Sequence, residues 1–139
     1  MINVIVITPE GISYSSQAES VSLPTTEGEI TVLTGHIPIV TTLHPGMMTV
    51  RSSGEEQYFA VARGVVEVTG SSVRVLSDIA DRVDSLDEQA VEQAKRRAEE
   101  LLASKRTDDE GFAEATAVLD REFARLRSVR RRKSSRRSL

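Results

Sequence analysis

The spacing of apolar residues changes near residue 85, and that change limits the folds open to this chain. Before it, apolar and polar residues alternate: Ile2, Val4 and Val6, then Val21 and Leu23, Ile30 and Val32. The pattern runs on through IVTTL, MMTV, EQYFAVA, GVVEV and SVRVL. Successive side chains of a strand point to opposite faces, so the alternation predicts short strands, each with one buried face. Glycines at 28, 35, 46, 54, 64 and 70 fall at the breaks, where turns are expected. Many short strands at this spacing point to a sandwich or barrel over residues 1–84.

From residue 85 the period becomes helical. Ser85 and Glu88 have the spacing of a capping box, and Leu86, Ala90, Ala94, Ala98, Leu101 and Leu102 then recur on one face. After the polar break SKRTDDEG, a second stripe follows in Phe112, Ala115, Leu119, Phe123 and Leu126, with Thr107 and Glu110, or Asp109, as candidate caps. So short a connection predicts an antiparallel two-helix hairpin over residues 85–129. Its seam is largely alanine, so it buries little against the ordering cost of about fifty residues. The hairpin is therefore expected to be conditionally stable, either folded on the β domain or swung away to bind elsewhere. Residues 130–139 read as a basic tail, expected to be disordered.

Charge divides the chain at the same place. Residues 1–84 carry four Arg against ten Asp and Glu, whereas residues 121–139 carry nine basic groups against one acid. A positive field concentrated at one end calls for an anionic partner. An acidic protein surface fits; a nucleic-acid-binding adaptor is the alternative, though the tail has no aromatic residue on which bases could stack.

Signals for an active site are absent. The chain has no cysteine, and its two histidines, His36 and His44, have no ligand spacing around them on a helix. There is no nucleophile elbow and no phosphate-binding glycine loop. Gly35 permits a tight turn before His36, and Pro38 holds Ile37 out of helical geometry, so His36 reads as part of a turn or a contact. The start, MINVIVITPEG, lacks a basic leader, and its apolar run ends at Pro9, too soon for a signal peptide or a span. No cofactor or metal is expected.

The stretch GEITVLTGHIPIVTTLHPG, residues 28–46, resembles the signature of the epsilon subunits of F-type ATP synthases. The likeness continues through YFAVARGVVEV, VRVLSD, LDE and the alanine-rich KRRAEE helix, from about residue 2 to about residue 127. The resemblance implies a ten-stranded β-sandwich followed by the two-helix hairpin. It also implies a non-catalytic central-stalk subunit that couples c-ring rotation to ATP synthesis and restrains hydrolysis through its helices. The implied partners are the gamma subunit, the c-ring and the alpha and beta subunits, with no nucleic acid, no homo-oligomer and membrane association through the complex alone. The implied place is the cytoplasmic face of a bacterial membrane, or a plastid thylakoid.

Site residues follow from the same resemblance. Glu29 and His36 would face the rotor and c-ring, while Arg121, Arg125 and Arg127 would meet an acidic segment of the catalytic head. Some family members bind ATP in the retracted hairpin. Asp87, Arg97, Arg121 and Arg125 fall on that pattern, but Ala90 stands where a motif arginine belongs and Val91 replaces its alanine. A weak or vestigial ATP site is expected, because losing one charge-assisted contact costs about 1.5–3 kcal/mol.

Overall fold

The structure, a computed structural model, describes residues 1–105 and 110–137, with side chains through Ser134. Among these residues ten strands form first: β1 (Ile2–Thr8), β2 (Gly11–Ala18), β3 (Ser20–Thr25), β4 (Gly28–Leu33), β5 (Ile39–Leu43), β6 (Gly46–Ser52), β7 (Glu55–Val61), β8 (Gly64–Val68), β9 (Ser72–Ser77) and β10 (Ala80–Arg82). They pair in the order β10-β7-β6-β3-β5-β8-β9-β1-β2, with β4 joined to β3 off that path. β1 and β9 run parallel, and the other pairs are antiparallel.

The sheet doubles over so that its two ends meet. Ser13 of β2 donates its hydroxyl to the Ala80 carbonyl of β10 at 3.3 Å, and the Tyr14 ring lies 4.9 Å from that of Phe59 on β7. Ile2, Val4, Leu23, Leu43, Met48 and Phe59 fill the interior between the layers. Full burial of such side chains stabilises by about 1.5–3 kcal/mol each. The expected ten-stranded sandwich is thus present.

A turn and a close strand approach hold this register. Ser53 and Gly54 both have positive φ, 54° and 78°, as a two-residue hairpin between β6 and β7 requires. At Gly64 a Cβ would lie 1.7 Å from the Leu76 carbonyl oxygen, so β8 and β9 approach closely only because that residue is glycine.

β6 breaks the alternation, since Met47, Met48, Thr49 and Val50 are all buried. One face meets the sandwich interior, and helix α2 (Phe112–Arg137) packs on β6 and β7 from outside. Ala60, Ala62 and Ile79 form a separate small cluster, joined by Leu86.

The helices begin differently from the capping-box expectation. Val83–Ser85 is a single 3-10 turn, in which Ser85 donates its hydroxyl back to the Arg82 carbonyl at 2.7 Å. Leu86 is extended and anchored in the outer cluster, so Asp87 caps helix α1 (Glu88–Ala103), accepting from the Gln89 amide at 3.1 Å. The α1 seam keeps Ala94, Ala98 and Leu102 but takes Val91 in place of Ala90 at its start. Val91 and Ala98 are buried, whereas Ala90 and Leu101 are exposed. Glu88 and Glu92 near the start of α1 meet Arg130 near the end of α2, so the two helices are antiparallel.

The basic tail also differs from expectation. α2 continues through residues 130–137, because side chains there find acids and an aromatic ring on the rest of the molecule. The candidate caps Thr107 and Asp109 lie outside the described residues.

Candidate functional site

Two features stand out on the surface, the rim of the sandwich around β4 and the seam between α2 and the sandwich. At the rim, Gly35 has φ 87°, its amide donates to the Gly70 carbonyl, and the His36 amide donates to the Leu33 carbonyl. The His36 ring nitrogen Nδ1 sits 2.7 Å from the Ile37 carbonyl, folding the imidazole onto its own turn. Leu33, Ile37 and Val40 flank it with 56%, 72% and 73% of their surfaces exposed. This is an apolar tip built around a rigid turn, suited to contact rather than proton transfer. Glu29 lies at the other end of β4, opposite Pro24, and its carboxylate accepts from Arg131 at 3.3 Å. The structure therefore does not bring Glu29 and His36 together.

The seam is a stripe of α2 residues spaced four apart. Asp120 pairs with Arg63 at 2.7 Å, and Ser128 donates to the Gly46 carbonyl at 3.2 Å. The Arg132 guanidinium lies 4.3 Å from the centre of the Tyr58 ring. Ala124, in phase between them, is fully buried. Spacing of four keeps all these positions on one helical face. Beside that face Arg125 donates to Asp81 of β10 at 2.6 Å and to Glu122 at 2.5 Å. Burial by itself would lower the Arg125 pKa, but the hydrogen bond to Asp81 and the attraction of both carboxylates outweigh it and raise it.

Nearby, burial and the hydrogen bond to Glu56 push the Tyr58 hydroxyl pKa up. The same bond, followed by that from Arg51, pulls Glu56 down. Glu88 is also lowered, by hydrogen bonds from Arg130 and then Lys133.

The four residues expected to form an ATP site lie along both helices, with Asp87 and Arg97 at α1 and Arg121 and Arg125 one turn apart on α2. Asp87 caps α1, Arg97 is exposed on that helix, and Arg121 is half-buried on α2. Arg125 is turned to the sandwich by Asp81. The open groove between the helices, about 510 Å³, is lined instead by Lys95, Phe123, Leu126, Arg127, Arg130 and Arg131. Arg127 also lines a smaller groove of about 320 Å³ with Glu29, His44 and Gly46. Among the described residues no cluster of His, Cys, Asp or Glu could hold a metal, and no helix is long and apolar enough to cross a membrane.

Sequence reasoning missed Asp81, Ser128, Arg131 and Arg132, and it took Glu88 for a cap where it pairs with Arg130 and Lys133. The spacing of Asp120, Ala124, Ser128 and Arg132 was the available signal, masked because it mixes charges with small residues. An apolar stripe is easier to see.

Comparison with known proteins gives a concordant result. A family described as ATP synthase, Delta/Epsilon chain, beta-sandwich domain matches residues 1–83, and the long alpha-helix domain of the same chain type matches residues 84–129. The ATP synthase epsilon chain of Alkalilimnicola ehrlichii is 36% identical over 131 residues, covering 94% of this chain and 93% of its own. That of Herminiimonas arsenicoxydans is 37% identical over 133 residues, covering 94% of each. Among solved structures, a chain of the Euglena gracilis mitochondrial ATP synthase (OSCP/F1/c-ring) aligns with TM-score 0.69 at 20% identity, over 88% of this chain and 78% of that one. A chain of the Tetrahymena thermophila mitochondrial ATP synthase central stalk and c-ring aligns with TM-score 0.56 at 16% identity, over 94% of each. At these identities the two structural likenesses speak to fold.

Proposed function

This chain belongs to the ATP synthase Delta/Epsilon chain family, and from that premise we propose that it works as the epsilon subunit of a rotary central stalk. The observation that carries the reading is the match of both parts, sandwich and long helices, to the two domains of that family over residues 1–129. In this reading the sandwich binds the gamma subunit and the c-ring, so that ion-driven rotation reaches the catalytic head of alpha and beta subunits. The subunit makes and breaks no bonds itself. It sits peripherally, at the cytoplasmic face of a bacterial membrane, held by its partners.

The hairpin supplies control. Retracted, as here, it keeps Arg125 paired with Asp81 and Glu122. Extended, it would present Arg121, Arg125 and Arg127 to an acidic segment of the head, and those charge-assisted contacts would resist rotation. Glu29 and the apolar tip around His36 are the proposed rotor contacts. Against the alternative of a nucleic-acid adaptor stands the engagement of Arg130, Arg131 and Lys133 with acids of the same chain.

A pull-down of the tagged full chain from detergent-solubilised membranes tests the assignment. Gamma and the head subunits are expected to co-purify in stoichiometric amounts, and their absence would sink it. In the assembled complex, a chain ending at residue 84 is expected to raise ATP hydrolysis while synthesis coupling persists. Unchanged hydrolysis would remove the control role.

A further inference from the structure

The family match stops at residue 129, yet α2 continues to Arg137. Successive residues of a helix point about 100° apart, so four in a row reach around the whole axis. Residues 130–133 use that spread to hold two different bodies. Toward α1, Arg130 Nε and Lys133 Nζ each donate to Glu88 at 3.3 Å, and Arg130 Nη2 lies 3.7 Å from Glu92. Toward the sandwich, Arg131 Nη1 donates to Glu29 at 3.3 Å and Arg132 stacks over Tyr58 at 4.3 Å. The lowered pKa of Glu88, caused first by Arg130 and then by Lys133, agrees with that geometry.

We propose that residues 130–133 form a latch fastening the retracted hairpin to the sandwich, and that Glu29 is its release point. A partner group that takes Glu29 displaces Arg131 and loosens the hairpin. The latch itself depends only on this chain; its consequence for rotation rests on the proposed stalk function. Each ion pair is exposed and weak alone. Carried on one stiff helix, the contacts form nearly as a unit, because each raises the effective concentration of the next.

The full chain tests this by itself. It has no cysteine, so Ser104→Cys and Gln17→Cys, both on exposed positions, accept a spin-label pair without background, and the distance distribution reads where the hairpin lies. Arg131→Glu is expected to raise the extended fraction about tenfold at 0.1 M salt, and Glu29→Gln to act in the same direction. Adding Glu29→Arg to Arg131→Glu should restore the native distribution. A chain ending at Val129 should open further. If that shortened chain loses the helix itself, the full-length charge swap decides. Distributions unchanged by Arg131→Glu would overturn the latch, and a swap that fails to restore retraction would remove Glu29 as its release point. Failure to co-purify with gamma would leave both results standing, so the two readings fail separately.

Discussion

Arg125 of α2 and Asp81 of β10, 44 residues apart in sequence, are joined at 2.6 Å with both side chains more than half buried. This pair ties the last strand to the helix that lies over it. Asp81→Asn leaves Arg125 with Glu122 alone and is expected to weaken docking of α2 by about 1–3 kcal/mol. Amide exchange in α2 should then quicken while exchange in β1 and β9 stays slow. In the assembled complex the same change should deepen inhibition of ATP hydrolysis, whereas Arg125→Ala should relieve it. Equal effects of both variants on hydrolysis would contradict this use of Arg125.

Ala124 is fully buried at the same seam, and Leu in its place overfills the site. Overpacking costs about 1–3 kcal/mol. Ala124→Leu should undock α2 and leave the unfolding transition of the sandwich nearly unmoved, which separate exchange rates for the two parts would show.

Gly64→Ala acts on the sandwich instead. The added methyl carbon would meet the Leu76 carbonyl at 1.7 Å, so β8 and β9 must separate. A loss of about 3 kcal/mol or more is expected, read as a lower urea midpoint. An unchanged midpoint would mean that the β8–β9 pairing has slack that this close approach denies.

The hairpin should open in acid. Arg130 and Lys133 lower the Glu88 pKa, while the unfolded value is about 4.3. A carboxylate of lowered pKa stabilises the folded form above its unfolded value and loses that contribution as pH falls through its own lower one. The contact between α1 and α2 should be flat between about pH 7 and 5, weaken below about pH 4, and lose part of that dependence in Glu88→Gln. A spin-label pair placed across the two helices and followed down the pH scale checks this.

ATP should bind the isolated chain weakly or not at all. Ala90 stands where the family's ATP-binding members carry an arginine, and Arg125 faces Asp81. Calorimetry should show no saturable heat at micromolar ATP. A micromolar binding curve would require Arg125 to leave Asp81.

The sandwich was legible because strand burial imposes a strict period of two, and Val4, Val6, Val73 and Val75 obey it. β6 escaped that rule, since Met47 and Thr49 are covered by a helix far along the chain and no local pattern announces it. The helical seam was legible at Ala94, Ala98 and Leu102 but not at its start. The spacing of Ala94 and Ala98 pointed back to Ala90, whereas packing buries Val91 instead. Of the candidate site, Glu29 and Arg125 were visible as residue types. Their partners Arg131 and Asp81 were hidden, because complementarity between distant charges leaves no trace in spacing. The expected disorder of the tail failed for the same reason: a run of cations reads as solvated until acids elsewhere are placed beside it.

Beneath α2 the outer surface of β6 and β7 sets the slender Gly46, Thr49 and Ala60 beside two broad side chains, Met47 and Tyr58. The slender ones let a helix lie close, and the broad ones give it something to grip. In the proposed stalk role, a floor of this mixed grain would let one helix be stowed and deployed without unfolding either half.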